Sequence, residues 1–121
     1  MSEEFEYTIT EVPTFQATIY VGRKQGYSGR TFSTSAVNAL VQDYVDKQGL
    51  GVTITPTNFY YTGGNEEGVA IGLINYPRFP SSNDDIKKIA MELGSQLMDA
   101  CDQFRISIVM SDKTIMLEAV E

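Results

Sequence analysis

The sequence predicts an α+β fold, in which two helices pack on a mainly antiparallel sheet and the elements follow the order β-α-β-β-α-β-β. Stretches with alternating apolar residues predict the strands, and two stretches with apolar residues three and four positions apart predict the helices. The connections between neighbouring strands are too short for a crossover, so these pairs should run antiparallel. Two amphipathic helices must then cover the sheet.

The composition describes an acidic chain of ordinary hydrophobicity. It is 42% hydrophobic and carries a formal charge of −7. Its length of 121 residues predicts one domain, and we expect a single ligand-binding domain over residues 1–121. The negative charge argues against binding to nucleic-acid polymers and to membranes. The single cysteine, Cys101, cannot form an internal disulfide, and the acidic Met1–Glu6 is unlike a secretory signal. These features predict a cytoplasmic location.

The sequence contains no histidine. This removes the usual general base and the commonest ligand of zinc, copper and iron. Three pairs of acidic residues could bind a metal, but they lie at a predicted cap, a turn and a solvated helix face, so we predict no metal site there. The pairs are Asp84/Asp85, Glu66/Glu67 and Asp99/Asp102. We therefore expect a binding protein without catalytic residues, cofactor or metal.

The first part of the chain leaves two alternatives open at each of two places. Residues 1–12 are either a flexible tail or an edge strand. Phe15–Val21 alternates apolar and polar residues and predicts a half-buried strand. The following loop, Gly22–Arg30, contains three of the nine basic residues. It is either a basic surface loop or a flap that contacts an anion.

The middle of the chain predicts a helix followed by a hairpin. Hydroxyl residues at 33–35 can cap a helix that ends at Gly49. We predict that the next strand is interrupted at Pro56 and resumes at Phe59–Tyr61. A turn at Thr62–Gly68 then leads into the returning strand Val69–Ile74.

The second helix has the most regular apolar pattern in the sequence. It is predicted from about Asp84 to Gln103 and is followed by a closing hairpin of strands Ile106–Met110 and Thr114–Glu118. Cys101 falls on the apolar stripe of this helix and is predicted to be a small core residue. The stripe comprises Ile86, Ile89, Ala90, Leu93, Leu97, Ala100, Cys101 and Phe104.

The turn Asn75–Pro80 is stiff because each of its two prolines restricts itself and the preceding residue. Tyr76 and Phe79 either close the end of the sheet or stack on a base, and Arg78 either pairs with a surface acid or binds a phosphate. Arg105 and Asp112 carry the same ambiguity. Arg105 is either a charge at the end of a helix or a second cation for the ligand. Asp112 is either a turn former or an acceptor for ribose hydroxyls.

Five stretches resemble a phage anti-Thoeris sponge, a small protein of the first anti-Thoeris type that captures the cyclic ADP-ribose isomer made by a bacterial TIR-domain defence protein. The resemblance implies a homo-oligomer, either a dimer or a dimer-based hexamer, that sequesters this signal in the host cytoplasm without cleaving it. Cyclic oligonucleotides are further partners that it implies. The stretches are Ala17–Gly22, Gly26–Gly29, Val52–Gly64, Gly72–Pro80 and Phe104–Glu118.

The chemistry of the chain can be fitted to such a ligand. Arginines suit a pyrophosphate, aromatic residues suit adenine, and two further polar residues suit ribose. Two alternatives stay open, namely an oligomeric interaction module and a small nucleotide-processing enzyme that acts on a phosphodiester or glycosidic bond. The predicted ligand-binding residues are Arg23, Tyr27, Asn75, Tyr76, Arg78, Phe79, Arg105 and Asp112.

Overall fold

The structure is a computed structural model that describes residues 6–25 and 30–120. Its five-stranded sheet has the order β4-β5-β1-β6-β7, and every neighbouring pair is antiparallel. Two short strands, β2 and β3, pair separately. The predicted α+β fold is confirmed. The elements are β1 Gln16–Gly22, β2 Lys24–Gln25, β3 Arg30–Thr31, α1 Thr34–Gln48, β4 Thr53–Tyr61, β5 Gly64–Ile74, α2 Asn83–Ala100, β6 Arg105–Met110 and β7 Thr114–Glu118.

The hydrophobic core lies between the two helices and one face of the sheet. Strand β1 is at the centre, where Ile19 pairs with Ile71 of β5 on one side and with Ile108 of β6 on the other. These three side chains are fully buried together with Leu93 and Leu97 of α2. Alternation along each strand therefore leaves the opposite face of the sheet without a covering helix.

Both helices begin at a serine cap. The Ser33 hydroxyl accepts a hydrogen bond from the Ala36 amide at 3.1 Å, and Ser82 accepts one from Asp85 at the same distance. Helix α1 ends at Gly49, whose φ of 68° is left-handed, as a terminating glycine requires. The described part of the chain has no helix long and apolar enough to cross a membrane.

Strand β4 is continuous through Pro56, so the predicted interruption is wrong. Pro56 pairs with Val69 of β5, and β4 lies at the edge of the sheet, where a missing amide donor is tolerated. The turn of this hairpin is also shorter than predicted, because only Thr62 and Gly63 lie between the strands. Residues 6–15 form no strand, and residues 1–5 lie outside the described part.

Asn75 joins three segments of the chain through its buried side chain. Its Nδ2 donates to the Pro13 carbonyl at 2.8 Å, and its Oδ1 accepts from the Ser81 amide at 2.8 Å. Its own amide also donates to the Phe15 carbonyl at 3.1 Å. The side chain therefore ties the N-terminal segment to the turn that precedes α2.

Replacing Asn75 by alanine should lower the free energy of unfolding by about 1–3 kcal/mol, because it leaves the Pro13 carbonyl and the Ser81 amide without their partner. Urea denaturation measures this change. The matched control is Asn58→Ala on β4, where the side chain is exposed and the expected change is within about 0.5 kcal/mol. Equal losses in the two variants would contradict the joining role of Asn75.

Candidate functional site

The predicted ligand-binding residues lie at two opposite ends of β1 instead of in one pocket. At the Gly22 end, Arg23 follows β1 and Arg105 begins the neighbouring strand β6. At the Asn75 end lie the turn 75–80 and Asp112, whose neighbour Ser111 donates its amide to the Gln16 carbonyl at 3.0 Å. Seven strand residues separate the two ends, which is about 20 Å. Tyr27 lies outside the described residues.

Both arginines at the Gly22 end are engaged by acidic side chains. Arg23 donates from Nη1 to the Phe32 carbonyl at 2.8 Å and from Nη2 to Glu67 at 3.0 Å, and only 12% of its side chain is exposed. Arg105 pairs through Nε with Glu118, and its guanidinium lies 4.8 Å from the ring centroid of Phe104. Their charges are therefore used to hold β5 and β7 in place.

The turn residues at the Asn75 end contact one another. Arg78 is exposed and stacks 5.7 Å from the ring centroid of its neighbour Phe79, which is itself 53% exposed. Tyr76 is half-buried, and its carbonyl accepts from the Phe79 amide at 2.9 Å. The cavity of about 20 Å³ beside the two rings has room for about one water molecule.

Asp112 also has an intramolecular partner. Its carboxylate accepts from Lys87 Nζ at 2.6 Å, and this bond lowers the pKa of Asp112 and raises that of Lys87. The larger cavity at this end, about 410 Å³, includes Glu11 and no basic residue among its described lining. An acidic rim disfavours a phosphate.

Another polar cavity, of about 260 Å³, lies at the Gly22 end, and we call it the Gly22 site. Strands β1 and β5 bring Gly22 opposite Gly68 there, so neither backbone carries a side chain over this part of the sheet. The Phe59 ring occupies the space that a Cβ of Gly68 would need. The cavity is lined by Lys24, Tyr61, Glu66, Asp102, Gln103 and Phe104.

The end of α2 brings Gln103 into this site. Asp102 adopts a left-handed conformation with φ of 51°, and the Gln103 amide donates back to the Met98 carbonyl at 2.9 Å, which completes a Schellman-type helix end. Gln103 Nε2 then donates to the carbonyls of Lys24 and of Cys101, the latter at 3.2 Å. The Gln103 side chain thus connects β2 with the end of α2 and is held on one side of the cavity.

Glu66 lies opposite Gln103. Its Oε2 is 2.7 Å, and Gln103 Oε1 is 2.9 Å, from the position that a Cβ of Gly22 would occupy. The Gly22 site therefore offers a carboxylate, an amide oxygen, one ammonium group from Lys24 and two aromatic edges. No cluster of three metal-ligating side chains occurs among the residues that the structure describes. Such a site can accept hydrogen bonds and hold a cation.

Glu66 and Gln103 are not among the ligand-binding residues that the sequence predicts. Glu66 was interpreted as part of an acidic turn, whereas the turn is two residues long and Glu66 belongs to β5. Gln103 was assigned to the end of a helix. The register that places Gly68 opposite Gly22 brings Glu66 to this end of the sheet, and it depends on strand pairing that a single sequence does not show.

The chain belongs to the class of α+β proteins with an antiparallel five-stranded sheet and two helices on one face. Solved structures that share this architecture include two described as phage SAM lyase. The apo structure has a TM-score of 0.74 and 21% sequence identity, and the match covers 87% of this chain and 89% of that one. The structure in complex with S-methyl-5'-thioadenosine has a TM-score of 0.75 and 17% identity, with 95% and 97% covered. No family model and no curated protein matches the sequence.

These matches overturn the resemblance to an anti-Thoeris sponge. The proteins that share nearly the whole fold are described as SAM lyases, which are enzymes, and one holds a thioadenosine. The predictions of a non-enzymatic sponge, of immune evasion by signal capture, and of a homo-oligomer that binds a cyclic ADP-ribose isomer or cyclic oligonucleotides are therefore wrong. A physical reason lies at two of the predicted arginines, since Arg23 and Arg105 are paired with acids and are not free to bind a pyrophosphate.

Proposed function

We propose that the protein is an enzyme that binds S-adenosylmethionine and breaks one of its carbon–sulfur bonds, releasing S-methyl-5'-thioadenosine. The observation that carries this proposal is the match over 87–95% of the chain to two structures described as phage SAM lyase. One of these contains S-methyl-5'-thioadenosine. The predicted cytoplasmic location stays a prediction and is compatible with this activity.

The absence of histidine is compatible with this chemistry. The sulfur of S-adenosylmethionine is a sulfonium, so when the carbon–sulfur bond breaks, the electron pair of that bond returns to sulfur and the thioether leaves without charge. The carbon that loses sulfur forms its new bond to an oxygen of the substrate's own carboxylate, which closes a lactone without added water. The leaving group needs no proton, and the usual reason for a histidine general acid is missing. The protein then has to bind the substrate, orient it and exclude water around the reacting carbon.

The Gly22 site suits part of such a substrate. Tyr61 and Phe104 offer ring faces and edges to the adenine or to the positive sulfur. Glu66 supplies a negative charge for a cationic ligand. The volume of about 260 Å³ is below the range of roughly 300–1,000 Å³ that is usual for ligand pockets, so this site holds one portion of the substrate.

Incubation of the purified protein with S-adenosylmethionine tests the proposal. Chromatography with mass detection should show S-methyl-5'-thioadenosine appearing as the substrate disappears. S-adenosylhomocysteine is the matched control and should stay intact, because cleavage of its neutral thioether would have to expel a thiolate, a poor leaving group. Recovery of unchanged S-adenosylmethionine after prolonged incubation would contradict the proposed function.

A further inference from the structure

We propose that Glu66 and Gln103 together hold the α-ammonium group of the amino-acid portion of S-adenosylmethionine, a role that rests on the proposed function and assigns one part of the substrate to the Gly22 site. The two side chains come from separate elements, β5 and the turn after α2. Their oxygens meet above a glycine. Position 22 therefore decides whether the pair can form.

Two hydrogen-bond acceptors converge beside Gly22. Glu66 Oε2 and Gln103 Oε1 lie 2.7 and 2.9 Å from the point where a Cβ of Gly22 would stand, so both occupy space that any other residue would fill. Two oxygens that face each other repel unless a donor lies between them or above them. A group with several N–H bonds can donate to both.

The neighbouring carbonyl groups fix the orientation of the Gln103 amide. An amide's oxygen and nitrogen are assigned from the hydrogen bonds around them. Here the carbonyls of Lys24 and Cys101 both require a donor, so Nε2 must face them. The opposite orientation would place Oε1 against two carbonyl oxygens. Oε1 is therefore the atom that faces Glu66, and it is available to accept.

The substrate has two cationic groups, the sulfonium and the α-ammonium. A sulfonium has no N–H bond to donate, whereas an ammonium can donate a hydrogen bond to each of the two acceptors. The nearby charges agree. Arg23 is neutralised by Glu67 and Arg105 by Glu118. Lys24 also lines the cavity, but among the described residues it forms no ion pair with Glu66, so the carboxylate stays available to a positive group of the ligand. The aromatic edges of the site are left for the sulfur or the adenine.

Binding of uncleaved thioethers tests the pair separately from catalysis. Calorimetry should compare S-adenosylhomocysteine with the same thioether lacking its α-amino group. The wild-type protein should prefer the amino form by about tenfold or more, as expected for hydrogen bonds to a charged group. In Glu66→Gln and in Gln103→Leu this preference should fall to less than about threefold.

Asp46→Asn is the matched control, because it removes one negative charge at an exposed position of α1 outside the Gly22 site, and it should keep the full preference. Equal binding of the two thioethers to the wild-type protein would overturn the ammonium role, while cleavage of S-adenosylmethionine would still support the proposed function. If Glu66→Gln instead weakens S-methyl-5'-thioadenosine, which has no amino group, by the same factor, the pair holds ribose hydroxyls and the proposal is wrong. Failure of every adenosyl ligand to bind would refute both proposals.

Discussion

Replacing Gly22 by valine is expected to lower kcat/KM for the cleavage of S-adenosylmethionine by about 100-fold or more. The new side chain would occupy the space in which Glu66 Oε2 and Gln103 Oε1 now meet. Loss of two hydrogen bonds to one charged group accounts for a change of this size. The rate of S-methyl-5'-thioadenosine formation at low substrate concentration measures it.

The variant should stay folded, because the atoms in the way are the ends of two flexible side chains and not backbone. Its melting temperature should remain within a few degrees of the wild type. Thr18→Val is the matched control, since Thr18 projects from the same face of β1 and does not line the Gly22 site. A Gly22→Val protein with full activity would remove the Gly22 site from the mechanism.

The largest effect on stability is expected from Leu97→Ala on α2. Leu97 is fully buried in the core between the helix and the sheet. Truncating a buried leucine removes its transfer free energy and leaves a cavity, so the free energy of unfolding should fall by about 2–5 kcal/mol. Denaturation in urea, with an unchanged m-value, measures the loss.

Met91→Ala on the same helix is the matched control. Met91 is 45% exposed, and its truncation should change the free energy of unfolding by less than about 0.5 kcal/mol. Similar losses in both variants would mean that α2 buries a different face from the one described here.

The elements could be predicted because they follow from local patterns. The stripe of α2 repeats over several turns, and Ser82 and the prolines before it mark where the helix begins. Pro56 shows the limit of such patterns. A proline disrupts a central strand, but β4 lies at an edge, and whether a strand is central or at an edge is decided by its distant partners.

The site could not be predicted because its chemistry depends on partners far apart in the sequence. Arg23 was interpreted as a ligand cation, yet its partner Glu67 lies 44 positions away. Gln103 bonds to the Lys24 carbonyl across 79 positions. A single sequence gives the residue types but not these pairs. The prediction of a non-enzyme from the missing histidine is also wrong, since it took the loss of the usual general base to exclude catalysis, whereas the matching structures are described as lyases.

The burial of Cys101 has a practical consequence for work with the protein. The thiol is fully inside the core, and its burial raises its pKa to about 11. At neutral pH almost none of it is thiolate, the form that reacts with oxidants and alkylating reagents. Samples can therefore be handled in air without reductant, and any association seen during purification reflects contacts between surfaces and not accidental cross-linking.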